Sequence, residues 1–188
     1  WAQDPKGGKF KFSLPSTNAQ LTLQHTGEGK PWATVNTVAA VPLTQPLSAG
    51  FSIKKTITPV QQKVTGEYHR GDVLRIRLEL ESQNDMSWVA LTDPTPAGAV
   101  ILGRGLDTDS AILQQGEQNQ GGWWSFVEPS YEGYRAYYQF VEQGKWQVEY
   151  TLRLNTAGTF SLPQTKIEAM YAPAMFGEVP NTTWVIKD

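Results

Sequence analysis

The chain has no cysteine among its 188 residues and only two histidines, His25 and His69. Without thiols it cannot form a disulfide, use a thiolate nucleophile or bind a metal through a thiolate. Neither histidine has an evident partner in the sequence, so histidine chemistry is also poorly represented. We therefore predict a protein that is not an enzyme, with no catalytic residue, no metal and no cofactor.

The chain also lacks a strong excess of either charge and any long apolar run. Sixteen basic residues against 18 acidic ones leave a net charge of −2. Proteins dedicated to nucleic acids need a basic surface, so a nucleic-acid partner is not expected. No apolar run has transmembrane length, and Trp1–Pro5 lacks the basic start and apolar centre of a signal peptide. We expect no membrane contact by this region itself, and the abrupt start indicates a fragment of a longer protein.

What the sequence does have is a period of two. Apolar residues occupy every second position in Asp72–Ser82, Tyr134–Val141 and Lys145–Leu154, which is typical of half-buried strands. The short Glu142–Gly144 segment between the last two predicts a hairpin. Further strands are predicted at Leu21–Gln24, Trp32–Val41, Phe51–Pro59, Ser87–Asp93 and Thr165–Met170, and an apolar turn is predicted at Met175–Gly177. No helical period is sustained, so the pattern predicts an all-β antiparallel sandwich.

Two segments lack this period. Val41–Gly50 contains two prolines and ends in small residues, so we predict a domain boundary there, with residues 46–50 as a linker. Gly103–Glu132 is rich in glycine and glutamine and predicts a long loop, of a kind that is usually functional or flexible. Within it Asp107–Ser110 lacks the ligand spacing of a calcium loop and indicates a polar turn.

The predicted loop also holds three candidate binding residues. Trp123, Trp124 and Tyr131 could form a stacking platform for sugar rings, an interdomain surface, or a cap over one end of the sandwich. The first alternative would make the chain a carbohydrate-binding module. A glycosidase is a weaker alternative, because Glu117, Glu128, Glu132 and Glu142 fall outside the predicted strands and do not establish a rigid carboxylate pair.

Several motifs together resemble one known family. They are Gly71–Leu78, Ser87–Val89, Asp93–Pro94, Pro96–Ala99, Tyr134–Tyr138, Glu149–Asn155 and Glu168–Pro173. In this order and spacing they resemble the C-terminal macroglobulin-like domain of bacterial alpha-2-macroglobulins, over about residues 51–188, and look close to the enterobacterial lipoprotein form. Leu21–Gly29 looks like the closing strands of the CUB-like module that follows the thioester domain, which assigns residues 1–45 to an incomplete second sandwich.

The resemblance implies an immunoglobulin- or fibronectin-like sandwich in a broad-spectrum protease trap. In such a trap a protease cleaves a bait region, and an exposed thioester then acylates a lysine of that protease. Because this chain has no cysteine, the thioester must come from another domain. The implied partners are the thioester domain and other macroglobulin-like domains of the same polypeptide, target proteases, and a peptidoglycan synthase. The implied location is the periplasm, with an N-terminal lipid in the inner membrane.

The resemblance assigns a role to Met170 and Tyr171. They are expected to shield the thioester and to help hold the resting conformation, since a thioester persists only where water and amines are excluded. The competing interpretation is that both residues close the sandwich core. It rests on the strand pattern, which places Ile167, Ala169 and Tyr171 on one face.

Overall fold

A computed structural model describes residues 11, 13, 20–30, 32–38, 43–102 and 123–188, and within them the chain has β-strands and no helix. The chain divides into two compact units, Trp1–Ala40 and Val41–Asp188. The strands are β1 Leu47–Ala49, β2 Phe51–Gln61, β3 Tyr68–His69, β4 Val73–Ser82, β5 Met86–Pro94, β6 Val100–Leu102, β7 Trp123–Pro129, β8 Gly133–Val141, β9 Gly144–Arg153, β10 Gly158–Phe160, β11 Thr165–Ala169, β12 Ala172–Val179 and β13 Trp184–Lys187.

The second unit contains two main sheets and a small one. The larger sheet has six strands in the order β1-β12-β11-β5-β8-β7, and the facing sheet has four in the order β2-β4-β9-β6. Every neighbouring pair in these two sheets is antiparallel. The small sheet, β10-β13-β3, includes one parallel pair, between β13 and β3. In the described part of the chain, no helix is long and apolar enough to cross a membrane.

The core lies between the two main sheets, and the period of two located its residues correctly. Leu74, Ile76, Leu78 and Leu80 on β4 are at most 1% exposed. Trp146, Val148, Tyr150 and Leu152 on β9 are likewise buried. The prediction of an all-β antiparallel sandwich is therefore confirmed.

The hairpin predicted between β8 and β9 is wrong. β8 pairs with β5 and β7 in the larger sheet, whereas β9 pairs with β4 and β6 in the facing one. The short connection instead carries the chain across the sandwich, and the two inward faces meet. Tyr134 stacks on Tyr150 with ring centroids 4.5 Å apart, and Tyr138 meets Trp146 edge-on at 6.1 Å. Burying the aromatic face of each strand against the other favours this arrangement over edge-to-edge pairing.

Three other expectations about elements need correction. Residues 46–50 are not a free linker, because they include β1, which pairs with β12. Met175–Gly177 is not a turn but part of β12. Trp123–Pro129, predicted within a loop, is an edge strand paired with β8. Each of these segments is short or irregular in its apolar pattern, and each forms a strand because a neighbouring strand offers hydrogen bonds.

The strands predicted in the first unit are not observed in its described residues. Residues 20–30 and 32–38 contain no strand, and Leu23, Trp32 and Val38 are exposed by 55%, 98% and 100%. A strand is stable only when a neighbour pairs with its backbone groups, and these residues pair with none. The assignment of residues 1–45 to a CUB-like module stays a prediction.

Gly133, at the start of β8, provides a test of the packing. A Cβ at this position would overlap the carbonyl oxygen of Asp93 and lie 2.9 Å from Pro94 Cα, whereas nothing lies within 4 Å of one at Gly144. Both glycines have positive φ, 158° and 133°. We expect Gly144→Ala to lower the free energy of unfolding by about 1–2 kcal/mol. Gly133→Ala should lower it by about 1–3 kcal/mol more, because the main-chain atoms near its Cβ cannot move aside. Urea unfolding measures the stability of both variants, and equal losses would contradict the steric account.

Candidate functional site

The two residues singled out by the resemblance form the turn between β11 and β12. Ala169 is opposite Ala172, so Met170 and Tyr171 are the loop of a hairpin. Their side chains are 51% and 80% exposed. The interpretation that they close the sandwich core is therefore wrong. The strand ends at Ala169, so the alternation of Ile167 and Ala169 does not extend to Tyr171.

The hairpin is extended by an irregularity in β12. Glu168 is opposite Phe176 while the next residue, Ala169, is opposite Ala172, so three residues of β12 lack partners. The last of them, Met175, packs against the core, which fixes the base of the bulge. Residues 170–174 are all exposed, and we refer to this Met-Tyr-Ala-Pro-Ala segment as the hairpin tip. It contains no charged side chain.

The base of the tip is well anchored. β11 lies in the middle of the larger sheet, between β12 and β5, and Ile167 and Ala169 are 0% and 2% exposed. The Met170 amide donates a hydrogen bond of 2.8 Å to the carbonyl of Trp88 on β5. The ring of Trp88 meets the ring of Tyr171 edge-on, with centroids 6.5 Å apart. The site is thus an exposed, uncharged and largely apolar surface on a turn whose base is held within the sheet.

A buried polar cluster lies between the sheets at the end of β11 opposite to the hairpin tip. Asp93 is fully buried, and its carboxylate is 2.6 Å from the ammonium of Lys55. It also accepts hydrogen bonds from the hydroxyl groups of Tyr150, at 2.7 Å, and Thr165, at 2.5 Å. Lys55 and Tyr150 belong to the four-stranded sheet, and Asp93 and Thr165 belong to the six-stranded one. The cluster therefore joins the two sheets.

Asn181, on the connection between β12 and β13, completes the cluster. Its carbonyl oxygen accepts a hydrogen bond from Lys55 at 2.9 Å, and its amide donates to the carbonyl of Pro163 at 2.7 Å. The sequence analysis missed this group of residues. A signal was present, since Lys55 occupies the inward position between Ile53 and Ile57, where the alternation calls for an apolar residue.

Burial and charge act together on Tyr150. Removal from water raises the pKa of its phenol well above the usual value of 10, and the neighbouring carboxylate of Asp93 raises it further. Burial likewise raises the pKa of Tyr138. Both groups are therefore neutral in the folded protein at physiological pH, and Tyr150 acts as a hydrogen-bond donor to Asp93.

The three aromatic candidates lie towards opposite ends of β7. Tyr131 is 83% exposed and follows β7, whereas Trp123 and Trp124 begin that strand. Six residue steps along a strand separate the two ends of β7 by roughly 20 Å. The side chains of Trp123 and Trp124 lie outside the described residues. The described geometry gives no support to a sugar platform built from all three.

Two of the four candidate carboxylates form surface ion pairs. Glu128 and Glu132 both approach Arg135, at 3.9 and 2.9 Å, and are 43% and 80% exposed. Glu142 follows β8 at its other end. Among the residues that the structure describes, no three histidine, aspartate or glutamate side chains converge as metal ligands. Asp107–Ser110 and Glu117 lie outside the described residues.

A family match covers most of the second unit. The sequence profile of the family described as Bacterial Alpha-2-macroglobulin MG10 domain matches residues 50–174, more than half of the chain. This range includes β2 to β11, the hairpin tip and all four strands that carry the buried cluster's Lys55, Asp93, Tyr150 and Thr165. The resemblance inferred from separate motifs is confirmed.

Individual relatives are more distant and much longer. An "Alpha-2-macroglobulin homolog" from Nostoc sp. is 27% identical over 190 residues, which cover 93% of this chain and 10% of that protein. "Circularly permutated Ras protein 2" from Dictyostelium discoideum is 26% identical over 187 residues, covering 94% of this chain and 4% of that protein. The crystal structure of native alpha-2-macroglobulin from Escherichia coli, spanning domain MG7 to the C-terminus, aligns with a TM-score of 0.61 at 19% identity. It covers 78% of this chain and 25% of that one.

The adjacent lysines of β2 form a matched pair for testing the buried cluster. The side chain of Lys55 is 8% exposed and pairs with Asp93, whereas that of Lys54 is 75% exposed and pairs with Glu79. We expect Lys55→Met to lower the free energy of unfolding by about 3–5 kcal/mol, because it leaves a buried carboxylate without its countercharge. Lys54→Met should cost less than about 1 kcal/mol. Chemical denaturation measures both, and a small loss for Lys55→Met would refute the role given to the ion pair.

The raised pKa of Tyr150 predicts a loss of stability in alkali. Its phenol titrates near 10 when unfolded and higher when folded, so its contribution is fully present below pH 10 and is lost as the pH rises above that value. The free energy of unfolding should fall by up to about 1.4 kcal/mol per pH unit from this group. Urea unfolding of Tyr150→Phe should show a shallower decline between pH 9.5 and 11 than wild type. At pH 7 the phenol is neutral in both the folded and the unfolded state. The difference in stability between Tyr150→Phe and wild type at that pH therefore measures the loss of the hydrogen bond to Asp93 alone.

Proposed function

Because the chain belongs to the bacterial alpha-2-macroglobulin MG10 domain family, we propose that its hairpin tip shields the thioester of a neighbouring domain in a protease-trapping protein. The observation that carries this proposal is the exposure of Met170 and Tyr171 on a rigidly anchored turn. An exposed apolar surface of this kind is typical of a contact with another protein surface. The absence of cysteine requires that the thioester come from outside this chain.

The chemistry of a thioester explains what such a surface must do. Water hydrolyses the bond, and free amines attack its carbonyl and become acylated with release of the thiol, so both must be kept away until a protease arrives. Tyr171 provides a broad ring with a polar edge that can bond to a partner. Met170 is flexible and polarisable, and it adapts to an irregular surface. The uncharged tip can therefore lie against an apolar site without burying an unpaired charge.

The tip would also help to hold the resting conformation. In this scheme cleavage of a bait region elsewhere in the protein triggers a rearrangement that withdraws the tip. The thioester then acylates a lysine of the trapped protease. In this scheme the region contributes by contact rather than by chemistry.

The wider setting is part of the proposal. The other domains of the same polypeptide would be the resting partners, and attacking proteases would be the targets. A periplasmic location with an N-terminal lipid anchor, and a peptidoglycan synthase as partner, rest on the family resemblance alone.

Loss of the Tyr171 ring should expose the thioester. In the full-length protein before any proteolysis, we expect Tyr171→Ala to react with methylamine at least about tenfold faster than wild type. A shielding effect of about 1.4 kcal/mol corresponds to a tenfold change in rate. The reaction is followed by the appearance of a free thiol.

The matched control is Tyr131→Ala, because Tyr131 is equally exposed but follows β7 rather than β11. It should react at the wild-type rate. If Tyr171→Ala reacts no faster than this control, the shielding function is wrong. If both react faster to the same extent, the effect is a general loosening of the domain and the shielding function is again not supported.

A further inference from the structure

We infer that Trp88 is the positioning residue that holds Tyr171 in place at the hairpin tip. This inference rests on the proposed shielding function and adds a second residue to that site. It is carried by three observations, namely the left-handed backbone of Trp88, the exposure pattern of β5 around it, and its contacts with both residues of the turn. None of them follows from the strand pattern of the sequence.

The first observation is the backbone of Trp88. Its φ is +55°, and it is the one residue other than glycine with positive φ in the described part of the chain. This left-handed conformation is unfavourable for a bulky residue, and such outliers persist only where the surroundings enforce them. They concentrate at functional sites. The outlier here lies beside the tip.

The second observation is the exposure pattern of β5 around Trp88. Met86 packs against the core and Val89 is fully buried, yet Ser87 and Trp88 between them are both exposed. Counted back from the buried Val89 and Leu91, regular alternation directs Trp88 outward but Ser87 inward, so the alternation is broken immediately before Trp88. The pairing of β5 with β8 keeps its register through this point. The Trp88 ring, which is 44% exposed, lies at the surface next to the tip.

The third observation is that Trp88 contacts both residues of the turn. Its carbonyl accepts the hydrogen bond from the Met170 amide at 2.8 Å, which fixes the backbone where the hairpin leaves the sheet. Its ring lies against the Tyr171 ring at 6.5 Å and 89°, an edge-to-face geometry that aromatic pairs favour. An exposed tyrosine without such a neighbour would sample several rotamers. The contact with Trp88 orients the ring before a partner arrives, which lowers the entropy lost on docking.

The ring and the backbone can be tested separately. Trp88→Ala removes the ring contact but keeps the carbonyl that binds Met170, and Trp88→Phe keeps an aromatic edge. In the full-length protein we expect Trp88→Ala to raise the methylamine rate about three- to tenfold. Trp88→Phe should remain within about twofold of wild type. Ser87→Ala, at the exposed neighbouring position, serves as the control and should leave the rate unchanged.

A double-mutant cycle then tests whether Trp88 acts through Tyr171. Trp88→Ala should add nothing in the Tyr171→Ala background, because the ring that it orients is already gone. If Tyr171→Ala reacts faster but Trp88→Ala does not, the shielding function stands and the positioning role is overturned. The positioning role is also overturned if the two substitutions have independent, multiplying effects.

A spectroscopic measurement keeps the inference testable if shielding itself is wrong. With 3-fluorotyrosine incorporated into this chain, the ¹⁹F resonance of Tyr171 is assigned by its loss in Tyr171→Phe. Trp88→Ala should shift that resonance towards the random-coil position, and Trp88→Phe should restore most of the shift. If Tyr171→Ala has no effect on methylamine but the resonance moves, shielding fails and positioning holds. An unmoved resonance overturns the positioning role whatever the methylamine result.

Discussion

The arrangement of the two sheets depends on the need to pair and hydrogen-bond the buried carboxylate of Asp93. A fully buried charge is unfavourable unless it is paired and hydrogen-bonded, and this one is bound by Lys55, Tyr150 and Thr165. These partners come from both sheets, so their distance and register must be correct at the same time. Asn181 adds the connection before the last strand through its bond to Lys55. Satisfying one carboxylate thus selects one arrangement of four strands and a connection.

Around this cluster the aromatic residues set the spacing of the sheets. The stacking of Tyr134 on Tyr150 places a β8 ring directly against a β9 ring. The hydroxyl group of this Tyr150 ring donates the hydrogen bond that Asp93 accepts. Large rings bury much apolar area and leave little freedom in how the facing strands lie. The middle of the six-stranded sheet continues through β11 into the hairpin tip, so the core extends to the base of the exposed site. A shielding surface requires this, since a mobile lid would admit water and amines.

How much could be predicted from sequence differs between the core and the site. The alternation of Leu74, Ile76, Leu78 and Leu80 indicated both the strand and its buried face, because a period of two arises from local backbone geometry. The same logic failed at β1 and β7, whose strand character comes from neighbours distant in sequence. It also placed Tyr171 ambiguously, because periodicity cannot tell where a strand ends in a turn. The family resemblance, not the pattern, singled out Met170 and Tyr171 in advance.

The sequence by itself determined that the chain is all-β, which residues face inward, and that no thiol chemistry can occur within it. These properties depend on composition and on neighbours two positions apart. Only the tertiary structure decided that β8 and β9 face each other across the core, that Lys55 meets Asp93, and that Trp88 lies against Tyr171. Each of these is a contact between residues far apart in the chain. Such contacts are set by the simultaneous packing of many strands, and no local pattern encodes them.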